Sequence, residues 1–148
     1  MSVTRWLEFR DSKILAVHGN PDRVCVELEG LIHQWEGAGA GRRGTGWSQQ
    51  VRIEIDFPDV DQGISGLPAA LRSGRVVVDS APDGKGGGLK VPVTLECMIV
   101  LELVTRLGER LRVCGERLEM SVSGEPRFVA ELSGDMDPER AAAVSHLN

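Results

Sequence analysis

Residues 33–56 read HQWEGAGAGRRGTGWSQQVRIEID, and the reading of this stretch decides the fold. It contains Gly39-x-Gly41-x-x-Gly44, the spelling of a phosphate-cradling loop, between Trp35 and Trp47. A dinucleotide fingerprint needs those glycines to open a helix whose N-terminal amides meet the pyrophosphate. Here Val51, Ile53 and Ile55 alternate with Arg52, Glu54 and Asp56, so a strand follows the glycines and the amide donors of a helix are lacking. No Gly-Lys-[Ser/Thr] completes a P-loop. The stretch therefore reads as a hairpin connection between two strands, and the chain as all-β.

The same period of two extends outward. Val24, Val26 and Leu28 alternate with Cys25, Glu27 and Glu29, and Leu111 and Val113 alternate with Arg112 and Cys114. Apolar-in, polar-out alternation is the signature of antiparallel strands with one face buried. Turn signals punctuate these runs at Gly19-Asn20-Pro21-Asp22, Ser73-Gly74, Asp83-Gly84, Leu107-Gly108 and Gly124-Glu125-Pro126. The pattern predicts about seven strands, at 13–18, 23–35, 47–57, 75–79, 90–104, 109–123 and 127–131. Gly30 interrupts one of them. At Gly115 the apolar parity switches, from 111 and 113 to 118, 120 and 122, which calls for a β-bulge. A strand bent there can serve two sheets, so the expected architecture is a two-sheet antiparallel sandwich or flattened barrel. Leu95–Leu111 can also be drawn as an amphipathic helix, but its β-branched residues and Gly108 favour strand. Residues 84–88, GKGGG, suit a hairpin loop. The end of the chain, from an Asp137 N-cap through Pro138 and Ala141–Ala143, predicts a short helix or tail.

A chain of 148 residues suits one domain spanning 1–148. Its net charge of −5 argues against nucleic acid, which wants a basic stripe. MSVTRWLEF lacks the apolar core of a signal peptide, and no stretch approaches the roughly 18 apolar residues of a membrane helix. Three cysteines, Cys25, Cys97 and Cys114, an odd number that cannot all pair within one chain, agree with a cytoplasmic placement.

Little in the chain reads as chemistry. No Gly-x-Ser-x-Gly elbow, Cys-x-x-Cys or His-x-x-x-His is present, so neither a hydrolase nor a metal site is expected, nor any cofactor. Asp56, Asp59 and Asp61 invite calcium but lack the spacing and closing glutamate of an EF-hand. Glu96 and Glu102 lie on one parity but too far apart for a glycosidase pair. The candidate site is instead a surface on the glycine hairpin: Trp35 and Trp47 as neighbouring aromatics, Arg42 and Arg43 at the tip for an anion or carboxylate, with His33 and Gln49 beside them. These residues point to a non-enzymatic interaction module that binds a protein partner, or a second copy of itself as a homodimer, by this hairpin or an exposed sheet edge. The alternative is a small-molecule or carbohydrate binder at the same tryptophans, with or without calcium.

Gly30-Leu31-Ile32-His33 leading into Gly44-Thr45-Gly46-Trp47-Ser48-Gln49, with Phe9-Arg10-Asp11-Ser12 before and Gly124-Glu125-Pro126-Arg127-Phe128 after, resembles the motif set of a family of small bacterial all-β proteins. Arg10 stands where that family more often has histidine, and the loop lacks a proline common in it. The resemblance runs from about Phe9 to Leu132 and implies an all-β fold but no reaction, the family having no assigned activity. The Asp-Ser start is also similar to that of some immunity proteins of bacterial toxin systems, which are binders.

Overall fold

The computed structural model describes residues 3–37, 41–78 and 89–137. The predicted loop at 84–88 and the helix expected from 138 onward lie outside the described residues, as does the middle of the glycine loop, 38–40. The described chain is all-β. Among the described residues no α-helix forms, and a single turn of 3-10 helix at Gly134–Met136 follows the last strand. Among the described residues no helix is long and apolar enough to cross a membrane.

Among the described residues ten antiparallel strands make one strongly curled sheet. Four long ones form its body: β1 (Val3–Asn20), β2 (Arg23–Glu36), β3 (Arg43–Asp56) and β10 (Arg117–Leu132). Between them come β4 (Asp59–Gln62), β5 (Ala69–Val78), β6 (Leu89–Lys90), β7 (Val93–Leu95), β8 (Ile99–Thr105) and β9 (Arg110–Gly115). The order across the sheet is β4-β9-β8-β5-β1-β2-β3-β10-β7, with β6 also on β1. The short run β6–β7 pairs with β1 at Trp6 and Leu7 and with β10 at Leu118–Met120. It thus spans the two outer strands of the four-stranded body and curls them toward each other.

The strands alternate as the sequence predicts, and their inward residues share one core. Leu7, Ile14, Val26, Leu28, Val51, Ile53, Ile55, Leu101, Leu103, Val113 and Leu118 all lie in it, with no measurable exposure. The β1–β2 turn is held by Asn20, whose Oδ1 accepts from the amides of Asp22 (2.9 Å) and Arg23 (3.1 Å). Midway along β1 the ladder slips between Glu8 and Lys13. Asp11 has a positive φ of 71° there. The buried Ser12 hydroxyl donates to the Glu8 carbonyl (2.6 Å) and accepts from the Leu31 amide (2.9 Å), satisfying the groups the bulge leaves unpaired.

The two-sheet sandwich of seven strands is not what forms. The β4-β9-β8-β5 group is continuous with the body through Lys13↔Ala70 and Ile14↔Ala69, giving one sheet wrapped into a half-barrel. The first ten described residues, 3–12, are strand, where none was expected: Trp6 and Leu7 put large apolar groups on both faces and blur the period of two. The predicted strand 90–104 is three strands, broken by Pro92 and by residues 96–98. Leu95–Leu111 is strand rather than helix over Ile99–Thr105, followed by a tight turn with Gly108 at φ 89°. The parity switch at Gly115 is a corner. A Cβ there would lie 2.1 Å from Ile55 Cγ2, and after Glu116 the chain leaves β8 and β4 to run beside β3 and β7.

Candidate functional site

The β2–β3 ladder is unbroken from Arg23↔Asp56 to Glu36↔Arg43, so the glycine stretch is a hairpin connection as predicted. That register also fixes the tryptophans. Trp47 pairs with Ile32, and Trp35 pairs with Gly44. Ile32 and Trp35 are three residues apart on one strand, hence on opposite faces. The two indoles therefore do not form a common platform.

Trp35 is completely buried on the face away from the main core. Its ring lies over Gly44, where a Cβ would sit 2.4 Å from Trp35 Cζ3. Arg42, expected at the exposed tip, is turned inward. Its guanidinium donates to Thr4 Oγ1 (2.7 Å) and pairs with Asp137 (3.4 Å), both side chains being about 5% exposed. Thr4 is itself the cross-strand neighbour of Trp35. The chain after β10 is thereby drawn back over the hairpin. His33, beside Trp35 on the same face, is 5% exposed, and its Nε2 has no hydrogen-bond partner. Burial pushes its pKa below the ordinary value, against the opposing pull of Glu8 and Asp11. Trp35, His33 and Arg42 are thus interior groups.

Trp47 lies on the other face and remains partly open to solvent. It packs edge-on against Phe128 of β10, with ring centroids 5.5 Å apart and planes at 79°. The indole Nε1 donates to Thr45 Oγ1 (2.9 Å). A cleft of about 380 Å³ opens on one side of the ring, lined by Arg5, Ile32, Gln34, Trp47, Gln49 and Pro126. A second, of about 290 Å³, opens on the other side between Gln34, Glu36, Arg43, Thr45, Trp47 and Phe128. Three of the predicted residues, Trp47, Gln49 and Arg43, therefore come together. Gln49 Nε2 donates to the Gly124 carbonyl (3.0 Å), and Arg43 pairs with Glu131 (2.9 Å), so both reach across to β10.

Phe128, Arg5, Gln34 and Pro126 complete the site without having been expected in it. Arg5 and Gln34 are cross-strand neighbours joined by a hydrogen bond (3.0 Å). Recognising Arg5 required β1 to begin at Val3. Phe128 was visible as an aromatic in a predicted strand, but its place beside Trp47 depends on the β3–β10 register.

β10 adds a further feature. Its residues 123–131 are all exposed, including Phe128 (57%) and Val129 (55%). One side of this segment bonds to β3, while β7 on the other side reaches only Leu118–Met120. Among the described residues, then, the far half of β10 is a sheet edge.

The aspartates considered for calcium do not gather into a donor set among the described residues. Asp56 is engaged by Arg23 (2.8 Å) and Arg117 (3.7 Å), and Asp61 by Arg112. Glu102 sits among Arg75, Arg110 and Arg112, and Glu96 faces Arg117. Comparison with protein families, curated proteins and solved structures finds no match to this chain.

Proposed function

We propose that this chain is a non-enzymatic interaction module that receives an extended segment of a partner protein along the edge of β10, with Trp47 and Phe128 as its apolar anchor. The observation that carries the reading is the run 123–131, exposed throughout and holding two apolar side chains more than half open to solvent. Long, exposed edges are normally blunted, because they offer a row of unpaired amides and carbonyls to any passing strand. Pro126 blunts this one at a single position and leaves Phe128–Glu131 able to pair. An added strand gains affinity from main-chain bonds and specificity from alternate side chains, which here meet the Trp47–Phe128 pair and the cleft beside it. The added strand comes from another protein or from a second copy.

The test combines a displayed random-peptide library with sedimentation over a range of concentrations. Support is the enrichment of extended peptides whose binding is lost in Phe128→Ala, or a dimer lost in Val129→Lys. A strict monomer that enriches no Phe128-dependent peptide overturns the proposal.

A second reading, a small polar ligand stacked on Trp47, draws on the clefts either side of the ring and on the amides of Gln34 and Gln49. A glycan panel read by Trp47 fluorescence separates it from the first. Saturable change abolished in Trp47→Phe favours the small ligand.

A further inference from the structure

At the opposite end of the β1–β2 hairpin three side chains of different chemistry converge. His18 of β1 lies directly across from Cys25 of β2, and Glu27 is two residues further along the same face. One donor atom from each, an imidazole nitrogen, the Cys25 sulfur and a carboxylate oxygen, lies within 4.8 Å of the others. His18 Nε2 stands 3.8 Å from Glu27 Oε1. Cys25 belongs to the outward-facing phase of β2 yet is only 4% exposed, because these neighbours and Arg52 cover it.

From this geometry we infer a binding site for a zinc-class divalent metal ion, held by His18, Cys25 and Glu27. One thiolate, one imidazole and one carboxylate form a donor set suited to zinc, and three protein donors leave a fourth position for water or a group from a partner. Zinc's bond lengths place tetrahedral donors roughly 3.3–3.8 Å apart. Reaching that spacing takes small rotations of His18 and Glu27, and His18 has a side chain 53% exposed. Cross-strand pairing supplies the rigid part of the site, since directly opposed residues on a ladder hold their Cβ atoms about 5 Å apart.

A second observation concerns the sulfur. Arg52 Nε donates to Cys25 Sγ at 3.0 Å, and Arg52 is itself held by Glu54 at 3.0 Å. The Arg52 cation bonded to sulfur recovers part of the cost of making a thiolate in this covered position, although burial still holds the Cys25 thiol above its ordinary pKa. Glu54 is engaged by Arg23 and Arg52, whereas Glu27 faces the imidazole. Binding exchanges the thiol proton for the metal: the Cys25 S–H bond breaks, a sulfur–metal bond forms, and one proton is released to solvent.

The experiment is titration of the full, reduced chain with Zn2+ against a chromogenic chelator, repeated with Co2+ to look for a thiolate-to-cobalt charge-transfer band. One equivalent bound, with that band, is expected. Cys25→Ser removes the band, and His18→Ala weakens binding at least about tenfold. His18→Ala alters an exposed side chain, so it reads the site even where the cysteine variant folds poorly. Absence of stoichiometric binding overturns the inference. So does a band that survives in Cys25→Ser but disappears in Cys97→Ser or Cys114→Ser.

Discussion

At the scale of single residues, the two hairpin tryptophans are opposites. Trp35 is fully buried with its ring over Gly44, while Trp47 stands at the mouth of two clefts. Acrylamide quenching of variants carrying single Trp→Phe replacements reads this directly. The quenchable fraction should fall in Trp47→Phe and rise in Trp35→Phe, which removes a shielded emitter. His33 yields a pH prediction. Its folded pKa lies below the unfolded value of 6.5 because burial disfavours the imidazolium. The unfolded chain therefore binds a proton that the folded chain refuses. This contribution to stability is complete above pH 6.5 and is lost as pH falls below it toward the folded value. Denaturant midpoints measured between about pH 7.5 and 5.5 should decline in the wild type and run flatter in His33→Gln.

At the scale of elements, the slip in β1 is the feature that a strand pattern conveys least. Ser12 is a small polar residue among strand formers, and its sequence context marks nothing more. Its hydroxyl serves the Glu8 carbonyl and the Leu31 amide together, so Ser12→Ala leaves two buried main-chain groups unpaired. The expected loss is about 1–3 kcal/mol by urea unfolding. The motif segments quoted from the sequence meet at this level. Gln49 bonds to Gly124, Trp47 packs on Phe128, and Ser12 bonds to Leu31. Gly30 lies under Leu7 and Val51, where a Cβ would come within 2.6 Å of Val51 Cγ2. Strand identity was legible for β2, β3, β9 and much of β10, because one apolar face alternates with one polar face. It was not legible for β4, whose four residues are all exposed, nor for the start of β1, where Trp6 and Leu7 fill both faces.

At the scale of the whole molecule, the segment after β10 is fastened to the hairpin by Arg42 and Asp137, a nearly fully buried ion pair. Removing one charge from such a covered pair loses an interaction that solvent screens little. Asp137→Asn should therefore lower stability by roughly 3 kcal/mol, while Arg43→Ala, which breaks an exposed pair, should change it by less than about 1 kcal/mol. Comparing their urea midpoints tests this difference. The asymmetry inverts the sequence-level view of these neighbouring arginines, in which both belonged to a solvent-facing tip.

By itself the sequence determined the all-β class, the reading of the glycine stretch as a hairpin, the strand preference of Leu95–Leu111 and the change of parity at Gly115, where the expected β-bulge is instead a break between β9 and β10. Each rests on period-two alternation and local turn chemistry, which act over a few neighbouring residues. The tertiary structure alone decided that the strands join in one curled sheet, that Trp35 and Trp47 face opposite ways, and that Phe128 stands beside Trp47. It also decided that Arg42 is an interior cation and that His18 meets Cys25 and Glu27. These features depend on ladder registers between segments far apart in the chain. A shift of one residue in any register would turn every side chain of that strand to the other face.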